Sequence, residues 1–261
     1  THRHAMKASI KQWAKEALHY YRLKPKLPFG ESSHGYLHIG KAGGSSTTDM
    51  FLALNAAGEK TPMMFGHDWR CQDILRRHPD MKLAFVIRDP LERIISGFNS
   101  RLRQGRPRNN SPWTDSEAAA FSLFRSSDSF IQSCLSDQPF DISAVNYALG
   151  AISHLRRGYA YHFGSPDYID EIADRIYCVR DITQLSDTRE FLDALLSPLS
   201  ADIDEALAAY EVKHSASKGA GSTLSDMSAA QLEKLRQVLA SEYAIYDRLL
   251  AISQAQHGKK P

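Results

Sequence analysis

Lys41 sits in the run Gly40-Lys41-Ala42-Gly43-Gly44-Ser45-Ser46-Thr47, where one cation is followed by two glycines and three hydroxyls. A short apolar segment, residues 36–39, leads into it. These residue types suit anion binding: glycines expose the backbone N–H groups that open a following helix, and the lysine supplies the countercharge. A second run, Arg88-Asp89-Pro90-Leu91-Glu92-Arg93-Ile94-Ile95-Ser96, follows the dense apolar segment at 82–87. A strand there directs Arg88 into the crevice at the carboxyl end of a sheet. Arg93 and Ser96, three apart, share a helix face away from the apolar stripe. A guanidinium beside a hydroxyl suits a terminal phosphate monoester, with a structural role as the alternative for Arg93. Between the two runs lies His67, in Gly66-His67-Asp68-Trp69, a residue that can take a proton near neutral pH.

By letter, Gly35-x4-Gly40-Lys41 has Walker A spacing. Physically the match fails. The four residues between the glycines are Tyr36-Leu37-His38-Ile39, a strand and not a cradle, and Ala42 stands where a Mg²⁺-binding hydroxyl is needed. The flexible part follows the lysine instead. A nucleotide kinase-like P-loop enzyme is therefore the lesser reading. The plainest alternatives are a strand-to-helix turn at Lys41 and a structural ion pair between Arg88 and Asp89.

The elements that would position these residues follow from pattern. Strands are expected at 36–39, 62–65, 82–87 and 175–179, with His38 buried in mid-strand. Helices are expected at 45–57 with Gly58 as C-cap, at 68–78, and from Asp89-Pro90 with Leu91, Ile94, Ile95, Phe98 and Leu102 as the apolar stripe. Further helices are expected at 116–125, 127–135, 145–157, 185–196 and 201–210, and one long helix at 228–252. Early strand–helix alternation implies parallel βαβ units. The fold class is α/β, a central parallel sheet flanked by helices, in one domain over 35–261. Ahead of it, residues 6–23 form an amphipathic pattern with Lys7, Lys11 and Lys15 between apolar positions, and a Pro/Gly linker runs to 34. That helix packs on the domain edge or makes a peripheral membrane contact. Residues 1–5, ahead of Met6, read as a non-native remnant.

The 261 residues are 43% apolar and 24% charged with net charge +2, which argues against a nucleic-acid partner. Cys71, Cys134 and Cys178 show no metal-ligand spacing, so no metal site is expected, and a reducing, cytoplasmic compartment fits them. No apolar run has the length of a membrane helix.

The order Lys41-Ala42-Gly43-Gly44-Ser45-Ser46 resembles the 5′-phosphosulfate loop of sulfotransferases, especially the carbohydrate-sulfating branch with its PKTGGTS-like run. Gly40 replaces the usual Pro, and Ala42 and Ser45 replace Thr. Residues 85–98, with Arg88-Asp89-Pro90-x-x-Arg93-x-x-Ser96, resemble the 3′-phosphate element of the same family. Residues 226–249 resemble its Asp-Tyr-x-x-Tyr terminal helix, with Glu242 for the usual Asp before Tyr243 and Tyr246, and 177–185 resemble the preceding strand and turn. Residues 103–173 show no likeness; there the acceptor pocket would vary.

The resemblance implies a P-loop-like sulfotransferase fold that uses 3′-phosphoadenosine 5′-phosphosulfate (PAPS), without a metal. The sulfuryl acceptor would be a hydroxyl of a sugar, glycolipid or polysaccharide. Lys41 would neutralise the bridging oxygen. The N–H groups of Gly43, Gly44, Ser45 and Ser46 would hold the 5′-phosphate, and Arg88 with Ser96 the 3′-phosphate. His67 would be the general base, ahead of Asp49 and Glu92. His154 and His162 stay open as acceptor-side residues. Lys218, in the loop at 213–219, would close over the nucleotide, unless that loop is simply solvated. A catalytically inactive nucleotide-binding or interaction module is the reading from outside enzymes.

Overall fold

The computed structural model describes residues 31–107, 110–186, 188–209 and 224–257. The expected helix at 6–23 and the loop carrying Lys218 lie outside the described residues. Four strands, β1 (Glu31–Leu37), β2 (Pro62–Phe65), β3 (Lys82–Ile87) and β4 (Ile176–Asp181), form one sheet in the order β2-β1-β3-β4. All three pairings are parallel. β1 is followed by α1 (Gly44–Ala56), β2 by α2 (Cys71–Arg77) and β3 by α3 (Pro90–Leu102). A helical stretch then runs through α4 (Asp115–Leu123), α5 (Ser127–Cys134), α6 (Pro139–Ala151), α7 (Ser153–Arg156), α8 (Tyr159–Phe163) and α9 (Pro166–Glu171) to β4. After β4 come α10 (Thr188–Leu196), α11 (Ile203–Ala209), α12 (Ala229–Val238) and α13 (Ala240–His257).

The sheet is covered on both faces, because alternate strand residues point to opposite sides. Tyr36, Met64, Ala84, Val86 and Cys178 pack under Met50, Phe51 and Leu54 of α1 and Phe191, Leu192 and Leu195 of α10. Leu37, Phe65, Leu83, Phe85, Ile87 and Val179 pack under Ile74 of α2, the Leu91–Ile94–Ile95–Phe98 stripe of α3, and Ile245 and Leu249 of α13. No helix is long and apolar enough to cross a membrane among the described residues.

β2 and β3 lie where the pattern places them, and Asp89 caps α3 as expected, accepting from the N–H groups of Leu91 and Glu92. β1 differs. It starts at Glu31 and ends at Leu37, so His38 lies beyond the strand, not in its middle. The polar start of this strand carries no apolar signal. It is extended because it is paired, Glu31 with Pro62 and His34 with Lys82. The expected helix at 145–157 is instead α6, begun earlier at Pro139, and then the short α7. The long helix expected at 228–252 is two, parted at Leu239 (φ −106°, ψ 23°). The halves have different partners: α12 lies on α5, α13 on β4. One straight rod could not reach both.

Candidate active site

Because every strand runs the same way, the residues after each strand gather at one edge of the sheet. Lys41 follows β1, His67 follows β2, Arg88 follows β3, and Asp181 ends β4. Neighbouring strands β1 and β3 then part company. β1 feeds α1 on one face of the sheet, and β3 feeds α3 on the other. That divergence opens a crevice at the carboxyl ends, the usual place for a ligand in an open α/β sheet. The loop of Lys41 and the turn of Arg88 are its two lips.

The Lys41 loop is built under tension. Lys41 itself is left-handed (φ 69°), a conformation that costs a non-glycine residue roughly 1–2 kcal/mol. Gly43, also left-handed (φ 87°), is the N-cap of α1, and no side chain caps that helix. The opening N–H groups, those of Gly44, Ser45 and Ser46 among them, have no intrahelical carbonyl, and the N-cap residue, a glycine, has no side chain to offer them. Gly44 is the first helical residue, and a Cβ there would overlap the imidazole of His38. Ser46 is buried.

His67 is brought to this loop. A Cβ built on Gly40 would lie 3.5 Å from its Nδ1 and 4.0 Å from Cδ2 of His154. His67 donates its Nδ1–H to the carbonyl of His38 (2.9 Å). A carbonyl can only accept, so the proton is fixed on Nδ1, and neutral His67 carries its lone pair on Nε2. The rings of His38 and His67 are 4.2 Å apart between centroids, and those of His67 and His154 are 6.0 Å apart and edge-to-face. Among the described residues no group of three or more His, Cys, Asp or Glu is placed to hold a metal ion.

The segment that carries His67 is fastened by α8. Tyr161 donates its hydroxyl to the Asp68 carbonyl (2.9 Å), and buried His162 donates Nδ1–H to the Trp69 carbonyl (2.8 Å). Burial first, then the backbone bond opposing it and the nearby cations, leave His162 with a pKa of about 3, so it stays neutral. Arg157 adds an ion pair to Asp68 at 2.6 Å.

The Arg88 turn is fastened at several points. Tyr159 accepts from the Arg88 N–H (2.8 Å) and donates to its carbonyl (2.6 Å). The Arg88 side chain, 15% exposed, pairs with Glu92 at 3.0 Å. Asp89 does not pair with Arg88; besides capping α3 it accepts from the hydroxyl of Tyr243 at 3.0 Å. Ser96 is buried about two turns along α3.

Arg93 does not lie on an outward face of α3: it is fully buried, as its structural alternative requires. It donates to the His154 carbonyl (2.9 Å) and pairs with Glu242 (3.2 Å). Glu242 also accepts from the N–H groups of Tyr159 and Ala160, which open α8. On the same helix, Tyr246 donates to Asp181 (2.8 Å). Burial, then the Asp181 carboxylate, push the Tyr246 pKa upward, so its hydroxyl stays a donor. Glu242, Tyr243 and Tyr246 thus brace the turn after β3, the end of β4 and the start of α8 from one helix.

Asp49 is half-buried on α1, and Glu92 is engaged by Arg88. His154 lies with His67 at the Lys41 loop. His154 had no signal of its own in sequence, since it sits in a four-residue helix within the stretch lacking any likeness. A comparison with family models, curated proteins and solved structures finds no match.

Proposed function

We propose that this protein is a sulfotransferase of P-loop-like fold, taking the sulfuryl group of PAPS to a hydroxyl acceptor of saccharide character. One observation carries the reading: the strained Lys41 loop, with the uncapped start of α1, meets a histidine whose lone pair is fixed on Nε2. That combines an anion cradle, a cation and a base. The residues fit the donor's two charged ends. Lys41 and the opening N–H groups of α1 suit the 5′-phosphosulfate, and Arg88 suits the 3′-phosphate.

When bound, PAPS supplies an activated sulfuryl group on a phosphate leaving group. The acceptor oxygen forms the new S–O bond as the S–O bond to phosphate breaks, and that phosphate leaves with the electron pair. His67 Nε2 takes the acceptor's proton. Lys41 neutralises the charge that gathers on the leaving oxygen. The sheet and α1 hold both groups in place beforehand.

Calorimetric titration with 3′-phosphoadenosine 5′-phosphate (PAP), ATP·Mg²⁺ and adenosine 5′-phosphate tests the reading. PAP should bind in preference to ATP·Mg²⁺. Arg88→Ala should weaken PAP at least tenfold and leave adenosine 5′-phosphate within twofold. Preference for ATP·Mg²⁺, or equal losses for both adenosine ligands, would overturn it.

A further inference from the structure

We propose that His154 is a neutral hydrogen-bond donor to the group being transferred, working beside His67 at the Lys41 loop. The inference rests on the sulfotransferase reading. It begins with how firmly the residue is placed. The Ser153 N–H and hydroxyl both donate to Glu117 (3.1 and 2.9 Å). Glu117 is itself buried in a two-pronged pair with Arg101 (2.8 and 2.7 Å). Arg93 holds the His154 carbonyl. On the remaining side α3 offers Gly97, where a Cβ would come within 3.1 Å of His154 Cβ. Buried ionic groups on two helices and a glycine contact therefore fix one histidine backbone.

The ring is fixed in its chemistry as well. Nδ1 is buried and meets no hydrogen-bond partner among the described residues. An orphaned N–H is rarer in folded proteins than an under-used acceptor. The proton therefore belongs on Nε2, and Nδ1 keeps the lone pair. Cδ2 is the His154 atom nearest Gly40, and Nε2, its ring neighbour, is not among the buried atoms without a partner. His67, held by the His38 carbonyl, has the opposite tautomer. One imidazole keeps a lone pair on Nε2, and the other an N–H.

A donor of this kind has to stay uncharged to keep Nδ1 buried. Burial first, then Lys41, His67, Arg101 and Arg93, bring the His154 pKa down to about 3. Each of those neighbours is cationic or becomes so on protonation, so none favours an imidazolium. A neutral N–H aimed at an anionic oxygen stabilises charge as that charge moves, without giving up its proton. The sulfuryl oxygens are the anionic oxygens that PAPS carries and PAP lacks. This gives the proposal a signature in binding as well as in rate.

The test titrates the full chain with PAPS and PAP, without acceptor, for native protein, His154→Phe and His154→Gln. Phenylalanine keeps a ring and removes the donor; glutamine returns an N–H near the position of Nε2. The ratio of PAPS to PAP affinity should fall about tenfold, about 1.4 kcal/mol, in His154→Phe and return to within threefold in His154→Gln. PAP affinity should stay the same in all three. With acceptor added, kcat should fall in His154→Phe while the acceptor KM holds. An unchanged ratio in His154→Phe would overturn the role of His154 and leave the sulfotransferase reading standing, as would a raised acceptor KM at constant kcat. Equal loss of PAP and PAPS in both variants would mean His154 only holds the loop's shape. Failure of the native protein to bind either nucleotide would overturn the functional reading and this role with it.

Discussion

The two lips of the crevice are built on opposite plans. Around Arg88 almost every polar group has a protein partner: Tyr159 on the backbone, Glu92 on the guanidinium, and the cap and Tyr243 on Asp89. Around Lys41 the backbone is left-handed at two of three residues, and no side chain caps the helix that follows. One lip has its backbone held on both sides by a tyrosine hydroxyl. The other keeps left-handed strain at Lys41, the kind of strain that clusters at ligand sites. The difference lies in the backbone: the β3 turn is clamped, and the β1 loop is held in a costly conformation.

Substitutions can break that contrast. The largest effect is expected at Lys41→Gly, which relieves the left-handed strain and removes the charge. Steady-state turnover should fall on the order of a hundredfold or more, by analogy with losing one oxyanion donor, while the thermal midpoint holds or rises. A stable variant with near-native turnover would leave Lys41 outside the chemistry. Asp89→Ala should act the other way round. It removes a cap and the acceptor of Tyr243, so urea denaturation should show a loss of about 2–4 kcal/mol. PAP affinity of the folded fraction should change by less than threefold. A collapse of binding without loss of stability would mean Asp89 serves the ligand and not the frame. The smallest effect is expected at Glu92→Gln, because a half-exposed i, i+4 pair contributes only about 0.3–0.5 kcal/mol. With its internal partner neutral, Arg88 should bind PAP roughly twofold more tightly. Weaker binding in that variant would show Glu92 to be positioning the guanidinium instead of competing for it.

Much of the frame could be read from the chain because its causes are local. The apolar run of β3, the Asp89-Pro90 cap and the Gly58 stop each depend on neighbours a few residues away. So does the Lys41-to-Ser46 order that places a helix start beside a cation. What escaped reading depends on distant partners. The polar half of β1 is a strand only through its pairing on both sides. Arg93 reads as an outward cation until Glu242, 149 residues on, is laid against it. Helices α7, α8 and α9, of four to six residues, are too short to show a period. The tautomer of His67 is invisible in sequence, since it is set by a carbonyl 29 residues earlier in the chain. Lys218 and the amphipathic pattern at 6–23 lie outside the described residues.

Helix α13 has a further consequence, for the timing of assembly. Both lips of the crevice are synthesised well before α13: the Tyr243–Asp89 bond spans 154 residues and the Glu242–Arg93 pair spans 149. Until α13 leaves the ribosome, Arg93 is a cation with no carboxylate to enter the core with, and the start of α8 has no acceptor for its N–H groups. The emerging chain therefore has a cradle before it has a rigid one. A nucleotide that binds only the finished crevice would meet no competent site until the last brace is in place, so ligand capture would serve as a report that synthesis has passed residue 246.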